Sequence, residues 1–261
     1  METTPPRAGN TGMIRRRFHV RQYRRLLIAL LFLLAGGCSS NRENINLLTP
    51  DDLFTRGAEA FEAGRFERSI IYLEHFSSQY LGDPRIADAR MMLGDAHMAR
   101  REYVTAVNHF QRVVSDFPSS ERNREARFKI CEAYYRLSPA PPLDQEYTIT
   151  ALLHCESIAE FFPGTAEADS ALAHVETMKE KLAKKSFDAG MHYFRRRAYD
   201  AAVVYFHEAV DEYPDTSIAP SALEQLVETY SRMGFVEDAE DARERLLRDY
   251  PQSPEAQAMQ G

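Results

Sequence analysis

No tryptophan occurs in the 261 residues, and cysteine appears only three times, at 38, 131 and 155. That scarcity excludes a disulfide-dense secreted scaffold and any Cys-x-x-Cys zinc or redox motif. The eight histidines (19, 75, 97, 109, 154, 174, 192 and 207) contain no His-x-x-x-His or His-Glu-x-x-His pair. There is no Gly-x-Ser-x-Gly elbow and no phosphate-binding loop. His154-Cys155 is the nearest thing to a ligand or nucleophile fragment, and helical spacing places Cys155 in a buried stripe. The expectation is therefore a non-enzymatic protein with no catalytic residues, no metal site and no cofactor. Basic charge is scarce beyond the start: residues 1–37 hold seven arginines and one glutamate, while 38–261 keep 25 basic and 38 acidic side chains, net −13. This balance argues against nucleic acid as the main partner. A membrane-spanning run is also missing. The ten apolar residues Leu26–Ala35 rise only ~15 Å as a helix, half of a ~30 Å hydrocarbon core.

What is present at the start is a basic leader, Arg15, Arg16, Arg17, Arg21, Arg24 and Arg25, ahead of that short apolar run. Residues 1–37 thus read as a signal peptide, with Met13 an alternative start to Met1. The run ends in Ala35-Gly36-Gly37-Cys38, which resembles a bacterial lipobox, although Ala35 stands where an aliphatic residue is usual. The resemblance implies that Cys38 is acylated, palmitate included, and becomes the first residue of the mature chain. Each buried CH₂ adds ~0.8 kcal/mol, so several acyl chains anchor a protein without a spanning helix. Ser39 and Ser40 follow instead of aspartate, which by resemblance to enterobacterial sorting signals implies the periplasmic face of the outer membrane. An ordinary signal peptide with an incidental cysteine is the alternative.

After a lipidated N-terminus and polar tether (38–50), residues 51–254 repeat one pattern five times, leaving a flexible tail at 255–261. Small or substitute residues stand at Gly57, Gly94, Cys131, Gly190 and Val227, with a second set at Ser69, Ala106, Ala151, Ala202 and Ala239. Eleven residues after each of the second set comes an aromatic: Tyr80, Phe117, Phe162, Tyr213 and Tyr250. Proline follows four of them, at 118, 163, 214 and 251, where it stops a helix. Leu73, Phe110 and Phe206, four residues after the second small residue, share its helical face and fill the gap between two close helices. This resembles the tetratricopeptide repeat, so the fold class expected is all-α, a superhelical array of five helix-turn-helix units. Two irregularities stand out. A Pro-rich insertion occupies 138–145, and fourteen extra residues, close to four helical turns, lie before Gly190, predicting one long helix over about 166–195. Cys131 and Cys155 lie on the two helices of unit three. Cys131 faces Ala151 in this register, one turn from Cys155, so a disulfide and a pair of small buried hydrophobes both stay open.

In tetratricopeptide arrays the first helices line the inner groove. Three residues before and four after each first small residue stand Phe54 and Phe61, Met91 and Met98, Phe128 and Tyr135, Phe187 and Phe194. The fifth unit has Glu224 and Ser231 instead. Such a row is either core between units or a groove that holds peptide through aromatic and methionine contacts. A basic cluster, Lys179, Lys181, Lys184, Lys185, Arg195, Arg196 and Arg197, is either a solvated face or a contact with acidic protein domains or lipid head groups.

The lipobox, five units, aromatic-Pro ends and one lengthened helix together resemble the BamD (YfiO/ComL) family, lipoproteins of the outer-membrane β-barrel assembly machinery. The segment "EKLAKKSFDAGMHYFRRRAYDAAVVYFHEAVDEYPDTSIAPSALEQLVETY" (180–230) is the most telling local match, through its Lys-x-x-Leu-Ala helix, basic turn and Tyr-Pro-Asp-Thr. The resemblance implies a scaffold, part of the BAM complex, that assists protein insertion into the membrane. Its implied partners are the periplasmic domains of the barrel subunit, unfolded outer-membrane proteins, companion lipoproteins, and the membrane itself through the N-terminal lipid. The inner-face residues named above and Arg195–Arg197 are the partner-binding candidates. A periplasmic tetratricopeptide protein of the Tol-Pal cell-division type is the alternative. That family has a coiled coil before its repeats and no lipobox.

Overall fold

The computed structural model describes residues 1–3 and 44–260, so the signal-peptide and Cys38 readings lie outside the described residues. Residues up to Leu47 form a unit of their own, whose described part includes a single 3-10 turn at Ile45–Leu47. From Leu48 onward the chain is one helical body.

Eleven helices follow in order: α1 (Pro50–Glu62), α2 (Phe66–Gln79), α3 (Ile86–Ala99), α4 (Tyr103–Asp116), α5 (Arg122–Leu137), α6 (Glu146–Phe161), α7 (Ala166–Arg195), α8 (Tyr199–Asp211), α9 (Ile218–Met233), α10 (Val236–Asp249) and the short α11 (Pro254–Gln260). Each packs on the one before, in five antiparallel pairs stacked as a tetratricopeptide-like array. The array opens with a capping box. Thr49 Oγ1 accepts from the Asp52 amide at 3.1 Å, Asp52 accepts in return from the Thr49 amide, and Pro50 takes the first turn.

Within a unit the helices approach because one of them offers no side chain. A Cβ built on Gly57 would stand 2.6 Å from Leu73 Cγ, and one on Gly190 would stand 2.5 Å from Phe206 Cε1. Gly94 meets Phe110 in the same way. Leu73, Phe110 and Phe206 are wholly buried. Ser69 uses the close approach differently: its hydroxyl donates to the Gly57 carbonyl at 2.8 Å, crossing between the two helices.

The turn within a unit is equally regular. Seven residues after the first small residue the backbone enters the left-handed region, at Gly64 (φ 68°), Arg101 (63°), Arg197 (60°) and Gly234 (80°). Each time the next amide reaches back five residues: Arg65 to Ala60 at 2.8 Å, Glu102 to His97 at 2.9 Å, Ala198 to Tyr193 at 3.1 Å and Phe235 to Tyr230 at 2.9 Å. This 6→1 bond satisfies a carbonyl the helix end would otherwise leave open.

Unit three departs from this plan twice. Its turn is replaced by the insertion, which is held by buried Gln145, whose amide donates to Ala140 O at 2.9 Å and Leu143 O at 3.0 Å. Its helices are joined by a Cys131–Cys155 disulfide. The doubt raised by register is thereby corrected. Cys131 belongs to the Gly57/Gly94/Gly190 column, and that column touches the residue four after the second small one, the position of Leu73, Phe110, Phe206 and Cys155. The bond sits where the other units pack a glycine under a large side chain.

Helix α7 serves two cores. Ala168, Ala171, Val175 and Met178 pack with Cys131, Ala151, Cys155 and Ile158 of unit three. Phe187, Met191 and Phe194 pack with Ala202, Phe206 and Val210 of unit four. No helix among the described residues is long and apolar enough to cross a membrane.

Candidate functional site

The first helix of each unit is amphipathic on two sides. One side meets its partner helix, and the other gives the row that runs along the inner side of the array. Met91 is 4% exposed and sits in the core with Ala106, Val107 and Phe110, so it is not a surface residue. The other seven are half-buried. Phe54 lies 5.5 Å from the Phe76 ring, with the Arg85 guanidinium 5.0 Å above it. Phe61 meets Phe66 edge-on at 5.7 Å, and Met98 packs at the margin of the unit-two core. Phe128 and Tyr135 both stack on His174, at 6.4 and 4.0 Å. Phe187 lies 5.8 Å from Phe206, and Phe194 lies 5.7 Å from Tyr199 under the Arg232 guanidinium at 4.9 Å. The row is therefore neither free surface nor full core. Each side chain keeps one edge outward while a neighbour covers its face, and at unit three the cover is supplied by α7.

Ion pairs stitch successive first helices beside this row: Arg85–Asp51 at 2.9 Å, Arg122–Asp88 at 2.7 Å, Lys129–Asp95 at 3.2 Å and Arg124–Glu167 at 3.2 Å. Most are exposed and contribute little to stability. Asp95 is the exception in kind, since burial pushes its carboxyl upward against the pull of Lys129.

The basic cluster separates into two parts. Its four lysines are bound within the chain. Lys179 pairs with Glu156 at 3.1 Å and Lys184 with Asp188 at 2.6 Å. Lys181 donates to Ser138 Oγ at 2.6 Å and Lys185 to Leu143 O at 3.0 Å, so two of them hold the Pro-rich insertion. Neither a solvated face nor a partner contact describes those two. Arg195, Arg196 and Arg197 are exposed at the α7–α8 turn. Arg197 holds a left-handed backbone that costs a non-glycine residue about 1 kcal/mol.

Sequence spacing gave no sign of a further cluster. Glu74 on α2, His97 on α3 and His109 on α4 bring ligand-type atoms within 4.8 Å of one another. The two imidazoles stack nearly parallel, centroids 5.2 Å apart. Burial holds His109 far below the usual histidine range, at about 4, so its ring stays neutral. The three residues are far apart in sequence and come from three helices, which is why no motif search finds them.

The family described as "YfiO: Outer membrane lipoprotein" matches residues 48–246. The chain is similar to a curated relative, "Outer membrane protein assembly factor BamD" of Rickettsia prowazekii, 25% identical over 232 residues that cover 88% of this chain and 92% of the relative. A second relative of the same description, from Haemophilus influenzae, is 21% identical over 237 residues, covering 86% and 89%. Among solved structures, the TPR2AB domain of yeast Sti1 matches at 13% identity and TM-score 0.41, covering 79% of this chain and 80% of that one. A thermophilic TPR protein of Thermus thermophilus matches at 18% identity and TM-score 0.34, covering 81% and 96%.

Proposed function

Because the chain belongs to the YfiO family of outer-membrane lipoproteins, a BamD-type assembly factor and hence a non-enzymatic scaffold, we propose that its two ends divide the work of barrel-protein assembly. In this reading, the first three units hold segments of unfolded outer-membrane proteins on the inner row, through Phe54, Phe61, Met98, Phe128 and Tyr135. The α7–α8 turn, through Arg195–Arg197, docks an acidic surface of the barrel subunit's periplasmic domains. Phe187 and Phe194 join the two zones, and Cys38 holds the array at the membrane by its lipid.

The observation that carries this reading is the half-burial of the row. Side chains with one covered face and one open edge are pre-ordered, so a bound peptide spends little on fixing their rotamers. An extended or helical segment gains apolar contact from them without a deep pocket. The arginine turn suits a partner surface for the opposite reason: its three charges are exposed, and Arg197 stands in a backbone conformation that glycine would hold at lower cost.

Peptide crosslinking and pull-down on two variants test the division. Phe61→Ser with Met98→Ser and Tyr135→Ser is expected to weaken capture of C-terminal barrel-protein peptides and leave co-purification with the barrel subunit intact. Charge reversal at Arg195–Arg197 is expected to do the reverse, with strong salt dependence. If both folded variants lose both activities, the division is wrong.

A further inference from the structure

Few buried polar side-chain atoms in the described residues lack a hydrogen-bond partner, and four of them gather at the junction of α2, α3 and α4: Ser77 Oγ, Arg90 Nε, His97 Nε2 and His109 Nδ1. Leaving such groups unpaired costs roughly 1–3 kcal/mol each, so four at one place call for a ligand or a function. Ser77, Arg90 and His109 line one cavity with Glu74, Asn108 and Arg112, and His97 stacks on His109 behind it.

We propose that Glu74, His97 and His109 form a binding site for a borderline divalent transition-metal ion such as Zn(II). His97 is 7% exposed, and its Nδ1 is already taken by Glu102 Oε2 at 2.7 Å. The ring atom left for a ligand is therefore Nε2, the one without a partner. A carboxylate on the far nitrogen is the arrangement that fixes the tautomer and orientation of a metal-bound histidine. Glu102 is fixed in turn by Arg100, whose Nε donates at 3.0 Å. His109 brings its own unpartnered ring nitrogen, and Glu74 brings a carboxylate from the solvent side. Ligand atoms within 4.8 Å of one another lie close to the roughly 3.4 Å separation that ~2.1 Å bonds to a tetrahedral ion require. A tilt of one imidazole in the parallel stack closes the remainder.

Charge decides which ion fits. Arg90 and Arg112 face His109, and both oppose a cation. A hard ion such as Ca²⁺ or Mg²⁺, held by charge and needing six or more oxygen ligands, is excluded by that field and by the donor set. A borderline ion bound through two neutral imidazoles relies on directional nitrogen bonds, while Glu74 and Glu102 supply two negative charges. Three protein ligands leave a fourth position open to water or to a group from a partner. Such an ion would tie the second helix of unit one to both helices of unit two.

The test uses the full-length lipidated chain in detergent, purified without a histidine tag, stripped with chelator and titrated with Zn(II) and Co(II). One Zn(II) per chain and a Co(II) d–d absorption band are expected. His97→Gln and His109→Gln should each weaken Zn(II) binding at least 100-fold, and Glu102→Gln, which touches only the outer side of His97, should weaken it ~10–100-fold. His75→Gln, next to the site but outside it, should leave binding unchanged, and circular dichroism confirms that each variant is folded. Absence of stoichiometric metal on the folded wild-type chain would overturn the proposal and leave an ordered water as the occupant. Binding that survives in the His97→Gln/His109→Gln double variant would overturn it in favour of an adventitious surface site. Thermal stabilisation by phosphate but not by Zn(II), lost in Arg90→Gln, would assign the cavity to an anion.

Discussion

Replacing Gly190 by alanine adds one methyl group and should destabilise the protein, although alanine is the better helix former by ~1 kcal/mol. The new Cβ would lie 2.5 Å from Phe206 Cε1 and 2.6 Å from Cδ1, about 1 Å inside ordinary contact. Phe206 is wholly buried and cannot swing away, because Phe187 lies 5.8 Å from its ring and Ala209, Val210 and Leu223 close the same core. The helices α7 and α8 must part instead. Overpacking of this kind costs ~1–3 kcal/mol, so the net loss after the helix-propensity gain is up to about 2 kcal/mol. For a body of this size that corresponds to a fall in melting temperature of roughly 4–8 °C. The control is a double-mutant cycle with Phe206→Ala, which by itself costs ~3–5 kcal/mol. In that background the methyl group at 190 meets empty space and should stabilise by up to about 1 kcal/mol, so one substitution changes sign with its neighbour. Thermal unfolding by circular dichroism measures all four proteins. If Gly190→Ala raises the melting temperature of the otherwise wild-type chain, the helices are not in the close contact described, and the packing argument for all three glycine columns falls with it.

Three other outcomes are expected. Cys131→Ser with Cys155→Ser should lower stability by about 3 kcal/mol, from the loop that the 24-residue separation closes, and denatured wild-type protein should show no free thiol at either position by alkylation and mass spectrometry. Arg197→Gly should raise stability by up to about 1 kcal/mol by relieving the left-handed backbone, while Gly64→Ala, at φ 68° in the same place of unit one, should lower it; denaturant titration of both compares them directly. Cys38→Ser should abolish palmitate labelling and release the chain from the membrane fraction.

The repeat was legible because its signal is steric. A glycine under a leucine or phenylalanine leaves a fixed offset in the sequence, and proline after an aromatic leaves another. The same columns held the answer for unit three, where Cys131 and Cys155 occupy the touching pair. Pairing the cysteine with Ala151 followed the smallness of the residues instead of the contact between columns. The left-handed turns were harder to see, since arginine fills two of the four and carries no mark of its backbone. Lys181 and Lys185 looked like free charge because their partners are backbone carbonyls and a serine some forty residues away, which no charge pattern reveals. His97 and His109 were invisible as a pair for a related reason: helical spacing reports neighbours on one helix, and these meet across two.

Solenoids built from short helices usually bend at the joints between units, where only a turn and side-chain packing resist. Here the joint between units three and four has a splint. The 30 residues of α7 make a beam ~45 Å long with one half bonded into each core, so rotating one unit against the other requires bending a continuous hydrogen-bonded helix. The disulfide stiffens the unit at one end of that beam, and Lys181 and Lys185 brace the insertion against its side. Bending of the array is thereby pushed outward to the other joints. A pull or push applied at the arginine turn travels the length of α7 without being absorbed, and arrives at His174 beneath Phe128 and Tyr135 as a displacement rather than as a loosened hinge.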